Sequence, residues 1–283
     1  MRLCRFNDDR LGLVEQDQVI DVTAALEALP DVRWPLPPGD LLIAHLAAVQ
    51  ERVIQLKEGA AVAGAGGAAE PGRQPEQDHR RAGQLPQAPR GRRADPGLHF
   101  GADIRTIDHY GLFLKSSTSL DGASEGVALP ALERRMDHEV ELAAVIGREA
   151  FRVRREEALG HVAGYAVGLD MSIRGTEDRS WRKSFDSATV LGPWLVTADE
   201  LGDPGALDLT LEVNGEVRQA SSTRYLIFDV ARLIEYASST YRLYPGDVIL
   251  TGTPEGVGPV GQGDVMRAAV ERVGAMTVRV RSI

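Results

Sequence analysis

A β-rich α+β fold is what this sequence predicts, and three observations carry it. Short alternating or continuously apolar runs, bounded by Gly, Pro, Asn and Asp, outnumber segments with a helical period. The pair Asn214-Gly215 stands between two alternating runs, a strong short-range hairpin signal. No regular alternation of strands and helices occurs, which argues against a parallel βαβ sheet.

Taken in order, residues 1–23 read as a small antiparallel unit. Met1 to Phe6 alternates, Asn7-Asp8-Asp9 breaks the run, and Leu11 to Val22 holds two more short runs. Between Leu41 and Leu56, the apolar residues Leu42, Ile43, Leu46, Val49, Val53 and Leu56 recur mostly at steps of three and four, predicting an amphipathic helix. The stretch from Ala61 to Arg93 has no Ile, Phe, Tyr or Trp and only one Leu. Such a segment buries too little apolar surface to offset its ordering entropy, so it reads as a disordered linker. The expected division is a small N-terminal domain over 1–60, this anomalous segment over 61–93, and a catalytic core over 94–283.

Within the core, Glu139 to Gly147 reads as a strand, Arg154 to His161 as a short helix, and Val162 to Asp170 as a second buried strand ending in an acid. Ala206 to Val213 and Glu216 to Gln219 flank the hairpin turn. Phe228 to Tyr236 is helical, Asp247 to Thr251 is a strand running into a Gly/Pro loop, and Thr277 to Val280 closes the chain as a strand.

Composition narrows the function. A length of 283 residues allows one large domain or a core with a small appendage, and 43% hydrophobic residues is ordinary for a globular protein. The net charge of −9 argues against a nucleic-acid partner, which needs a basic face. Cys4 is the only cysteine, so neither an intrachain disulfide nor a cysteine-based zinc site can form. No secretory signal pattern opens the chain, and no apolar run is long enough to span a bilayer; the expectation is a cytoplasmic protein without membrane contact.

Three constellations could carry chemistry. In His138-Glu139-Val140-Glu141, strand geometry points both glutamates to one face. Paired carboxylates repel unless a cation or shared proton neutralises them. Spacing alone leaves two readings, a solvated acidic face or a hard-cation site completed by Asp170. Lys183-Ser184-Phe185-Asp186 offers either a surface lysine or a cation near the acids. Thr251 to Gly258 (TGTPEGVG) is a turn whose glycines and hydroxyls would let an anion approach, although it lacks the Gly-Lys-Ser/Thr of a P-loop. Gly122 to Gly126 matches Gly-x-Ser-x-Gly and Gly256 to Gly261 matches Gly-x-Gly-x-x-Gly, but neither has the strand and helix context that its chemistry needs. The six histidines are not set at zinc spacings.

Read together, these segments resemble the fumarylacetoacetate hydrolase family. The match runs from about Gly111 to the C-terminus: Phe113-Leu114-Lys115, Asp137 to Leu142, Gly164-Tyr165 to Asp170, Lys183 to Asp186, Gly192-Pro193-Trp194, Asn214-Gly215 to Gln219, and Pro245 to Pro254. This ordered set favours the cation reading. The resemblance implies a mixed β-roll catalytic core, a small N-terminal β-containing domain and a homodimer. It also implies Mg²⁺, or Mn²⁺ or Ca²⁺, on Glu139, Glu141 and Asp170. Lys183 would act at a developing oxyanion, with Lys115, Arg174, Glu177, Gln219 and Thr253 contacting substrate. The implied activity is metal-dependent C–C cleavage of an acylpyruvate or fumarylacetoacetate-like β-diketo acid. The alternatives are a 2-hydroxyhepta-2,4-diene-1,7-dioate-type isomerase or decarboxylase, a 2-oxo acid hydratase, or a non-catalytic relative.

Two departures stand out. Glu177 occupies a position where the family commonly has Gln. The family also carries, just before its core, Asn-Tyr-x-x-His followed by a Glu, a dyad that activates water or moves protons; here that motif is absent. Read one register over, codons spanning Gln84/Leu85 permit Asn, Leu85/Pro86 Tyr, Ala88/Pro89 His and Arg90/Gly91 Glu. The expectation is a compensated frameshift over about Ala61 to Arg93, restored before Asp95. Resequencing checks it: nucleotides that do not yield the motif in that register sink the idea. The literal chain is then expected to bind metal and turn over poorly.

Overall fold

A computed structural model describes residues 1–57 and 111–282, apart from positions 8, 17 and 131. The anomalous segment 61–93, with its linker and frameshift readings, lies outside the described residues. So does the start of the expected core.

Three antiparallel strands open the chain: β1 (Arg2–Phe6), β2 (Arg10–Glu15) and β3 (Gln18–Asp21). The expected helix over Leu41–Leu56 is two, Leu41–Ala44 and Leu46–Lys57, the first capped by the Asp40 carboxylate accepting from Ile43 N. The later strands are β4 (Leu120–Gly122), β5 (Val127–Leu129), β6 (Met136–His138), β7 (Val140–Ile146), β8 (Val162–Asp170) and β9 (Ser172–Ile173). They continue with β10 (Thr189–Thr197), β11 (Asp208–Val213), β12 (Glu216–Ser222) and β13 (Val248–Leu250). Last come β14 (Gly258–Pro259), β15 (Val265–Val270) and β16 (Gly274–Ser282). The longest helix of this half is Val230–Thr240, capped by Asp229. The β-rich α+β class is the one found.

The largest sheet runs β13-β7-β8-β10-β1-β2-β3, with β4 added beside β10. The N-terminal meander extends this sheet directly, Arg2 opposite Val196 and Leu3 opposite Leu195. A second sheet runs β12-β11-β15-β16-β5, and a small third one β14-β6-β9. The first two face each other: Val140, Leu142, Ala144, Val167 and Leu169 pack in one core with Leu211, Met266 and Val278. The helix Val230–Thr240 closes that core with Leu233, Ile234 and Ala237. On the other face of the large sheet, Ala143, Val145 and Ala166 lie beside Val248 and Leu250 of neighbouring β13 and pack with Ile43. Both faces of β7 and β8 are therefore buried, which explains their near-continuous apolar sequences.

The strand expected over Glu139–Gly147 is found as Val140–Ile146, and Glu139 stands before it in the break after β6. The reason is topological. Going from β6 to β7, the chain passes from the small sheet to the large one. Beside it, β8 passes to β9 across the same boundary, and the loop from β13 to β14 crosses it a third time. Three neighbouring segments thus change sheets at one seam.

Candidate metal centre and active site

The seam gathers the acids. On β7, odd-numbered residues share the face of Ala143 and Val145, so Glu141 points there. On β8 the even residues share it, which aims Asp170 the same way. Opposite Glu141 stands Gly168, which leaves room beside the carboxylate. Glu139 enters from the strand break, its carbonyl accepting from Asp170 N at 2.9 Å. Glu139, Glu141 and Asp170 each present an oxygen, all within 4.8 Å of one another, and all are fully buried.

Basic groups surround the triad. Lys183 Nζ donates to Glu139 Oε2 at 2.9 Å and Asp170 Oδ2 at 2.5 Å. It also lies 5.7 Å from the Phe113 ring centroid. Lys115 Nζ holds the other oxygen, Asp170 Oδ1, at 2.5 Å and donates to Ala188 O at 3.1 Å. Arg174 spans Asp137 Oδ2 (2.7 Å) and Glu139 Oε1 (2.8 Å). Neither lysine is a surface residue; each is almost wholly buried.

Two oxygens define what is missing from the balance. Glu141 Oε2 accepts from Gly252 N at 2.6 Å, but Glu141 Oε1 is buried without a hydrogen-bond partner among the described residues. Burial, then the negative charges of Asp170 and Glu139, push the Glu141 carboxyl well above its ordinary value. Desolvation likewise lowers Lys115 despite Asp170 beside it. The all-oxygen donors and the orphaned oxygen fit a hard divalent cation, whose charge would offset the repulsion that Glu141 meets from Asp170 and Glu139.

The loop after β13 forms one wall. Thr251 Oγ1 donates to Leu142 O, and Gln219 Nε2 donates to Thr253 Oγ1 at 2.8 Å and to Pro254 O at 3.1 Å. Gly256 has φ +95°, and a Cβ there would sit 2.0 Å from Arg218 O, so only glycine lets the loop approach β12.

Of the residues singled out from sequence, Glu139, Glu141, Asp170, Lys115, Lys183 and Arg174 come together in one buried cluster. Gln219 and Thr253 join through the loop. Glu177 does not join. It lies at the surface in a two-pronged pair with Arg134, both contacts 2.8 Å, which holds its carboxyl down at about 2. Sequence reasoning passed over Asp137, fully buried between Arg135 and Arg174, and Ser172, whose Oγ donates to Glu139 Oε1 at 3.2 Å. Asp137 is signalled by its place two residues before Glu139 in the same acidic run, and Ser172 by matching the first residue of the family's motif after Asp170.

The sequence profile of the fumarylacetoacetate (FAA) hydrolase C-terminal domain matches residues 101–281. The chain belongs to the fumarylacetoacetate hydrolase family. Among its relatives in that family, a maleylpyruvate hydrolase of Aquipseudomonas alcaligenes is 50% identical over 291 residues, covering 100% of both chains. The crystal structure of a maleylpyruvate hydrolase from Sphingobium sp. SYK-6, in complex with manganese(II) and pyruvate, matches with a TM-score of 0.81 at 35% identity. That match covers 100% of this chain and 99% of the other. A fumarylpyruvate hydrolase from Pseudomonas aeruginosa, also with Mn²⁺ and pyruvate, gives a TM-score of 0.58 at 33% identity over 66% of this chain and 86% of its own. The β-rich fold and the ordered motifs are thus those of the family.

Proposed function

We propose that this chain is a metal-dependent hydrolase that cleaves the C–C bond of an acylpyruvate, with a maleylpyruvate-type diketo acid as its substrate. The observation that carries the reading is the buried triad Glu139, Glu141 and Asp170, one oxygen of which has no partner among the described residues. Similarity along the whole chain to maleylpyruvate hydrolases supports the reaction class.

Glu139, Glu141 and Asp170 would hold the cation, Mg²⁺ or Mn²⁺, and when bound it supplies Lewis acidity to 2-oxo acid oxygens. Without it, the buried acids Asp137, Glu139, Glu141 and Asp170 face the buried cations Lys115, Lys183 and Arg174, with Arg135 reaching Asp137 from outside. Two further positive charges make the pocket attractive to a doubly negative substrate. Lys183 keeps its ammonium beside the oxygen that gains negative charge, and Phe113 shields it from water. Arg174 donates to Glu139 from Nη2 and to Asp137 from Nε, tying the two acids together. Thr253 offers its hydroxyl to the substrate carboxylate. In the overall reaction, water adds hydroxide to the acyl carbonyl carbon. The adjacent C–C bond then breaks with its electron pair on the pyruvate carbon, and a proton there completes pyruvate and the released acid.

Chelator-stripped protein reloaded with Mn²⁺ or Mg²⁺ and given maleylpyruvate and other acylpyruvates tests this. One pyruvate is expected per substrate consumed, and none without metal. Loss of the enol absorbance without pyruvate would favour the isomerase reading instead, and no reaction at all would sink both. The resemblance further supports a cytoplasmic homodimer with a small N-terminal domain over 1–60; a monomer mass by light scattering would overturn the dimer.

A further inference from the structure

Gln219 carries hydrogen bonds whose direction can be read without seeing a proton. Its Oε1 lies 3.1 Å from Val140 N, and a backbone N–H only donates, so that end of the amide must be the oxygen. Its Nε2 lies 3.1 Å from Pro254 O, which only accepts, so that end must be the nitrogen. The main chain therefore pins the amide at both ends, and no flip of the side chain is compatible with it.

Two consequences follow along the chain of contacts. His138 Nδ1, 3.1 Å from the same Oε1, must carry its proton and donate. At the other end, the second Nε2 hydrogen goes to Thr253 Oγ1 at 2.8 Å. Both acceptor positions and both donor hydrogens of Gln219 are then used within the protein, and its side chain is almost wholly buried. Thr253 receives one hydrogen bond, and its own O–H meets no acceptor among the described residues.

We infer that Gln219 is a positioning residue that never touches substrate: it fixes Thr253 as a hydrogen-bond donor to the substrate carboxylate. The inference rests on the 2-oxo acid reading given above. A lone threonine hydroxyl rotates and can present a lone pair or a proton. With one lone pair occupied by Gln219, the proton is the group directed to an anion, and a backbone-anchored amide keeps it so. This assigns Gln219 a different role from direct substrate contact, which its saturated amide leaves no capacity to make.

A double-mutant cycle on the full-length, Mn²⁺-loaded protein, with pyruvate as the probe, tests it. Thr253→Val and Gln219→Met should each weaken pyruvate binding roughly tenfold, the range of one hydrogen bond to a charged group. Thr253→Ser should stay close to wild type, while Mn²⁺ affinity is unchanged throughout. Once Thr253→Val is present, adding Gln219→Met should cost less than about twofold more, because Gln219 acts only through that hydroxyl. In turnover the effect should fall on KM more than on kcat. If Gln219→Met does not fold, Gln219→Glu keeps the shape and the acceptor while losing the paired donors, and the same non-additivity is expected. Additive losses, or wild-type protein that binds no pyruvate, would overturn the inference. A coupled cycle in a protein that cleaves no acylpyruvate would leave it standing and remove the proposed reaction instead.

Discussion

Glu141 and Asp170 lie side by side, yet neutralising one should help the metal-free protein and neutralising the other should harm it. Glu141 has an oxygen unpartnered among the described residues and two like charges beside it, so Glu141→Gln relieves repulsion. The metal-free variant should melt at or above the wild-type temperature and show no stabilisation by Mn²⁺. Asp170 is held by Lys115 on one oxygen and Lys183 on the other. Asp170→Asn leaves buried Lys115 without its ion-pair partner and Lys183 with Glu139 alone, and about 3–5 kcal/mol of stability should be lost. Denaturant melts with and without Mn²⁺ compare the two variants. The pH dependence has a definite sign: because the folded state raises the Glu141 carboxyl, its contribution is full below the ordinary value of 4.5 and is lost as pH rises through the raised value. The stability of metal-free wild type minus that of Glu141→Gln should therefore increase on acidification. A difference that is flat with pH would show Glu141 to be ordinary.

Among the elements, the loop between β13 and β14 and the strand β1 make separable predictions. Gly256→Ala would drive a Cβ against Arg218 O and force a left-handed backbone on alanine. The loop's tie to Glu141 comes from Gly252, upstream of the disturbance. Pyruvate affinity should therefore drop about tenfold, equivalent to ~1.4 kcal/mol, with little change for Mn²⁺; titration calorimetry reads both. In β1, burial pushes the Cys4 thiol up to about 12, so the native protein should resist thiol reagents. Its labelling rate should follow global unfolding, because β1 pairs with β10 in the core sheet. Labelling faster than core unfolding would show that the meander opens by itself.

At the scale of the whole molecule, a cation bound at the seam ties three crossing segments together and should stabilise the fold. Metal at 100 times its dissociation constant should add about 2.7 kcal/mol, and chelator should remove it. Turnover tests the anomalous segment 61–93: re-expressing it in the alternate codon register should raise kcat strongly and leave Mn²⁺ affinity nearly unchanged. Much of the fold could be read in the sequence where the signal is local. The Asn214-Gly215 turn has both residues at positive φ and sets Val213 opposite Glu216, and β8 ends at Asp170 as its apolar run does. β10 and β15 carry no clear strand signal in the sequence: Gly192-Pro193 interrupts one, and the other mixes Arg and Ala into a short run. What the sequence determined by itself was the family's ordered motifs, the β-rich class, and the grouping of Glu139, Glu141 and Asp170 as a candidate site. Only the tertiary structure decided that the acids are buried, that Lys115 and Lys183 clasp Asp170, and that Glu177 stands outside. The physical reason is that a period of two says which residues share a face of a strand, whereas what covers that face comes from distant chain. Here Ile43, from the N-terminal helices, packs with Ala143 and Ala166 on the face of the sheet that carries Glu141 and Asp170.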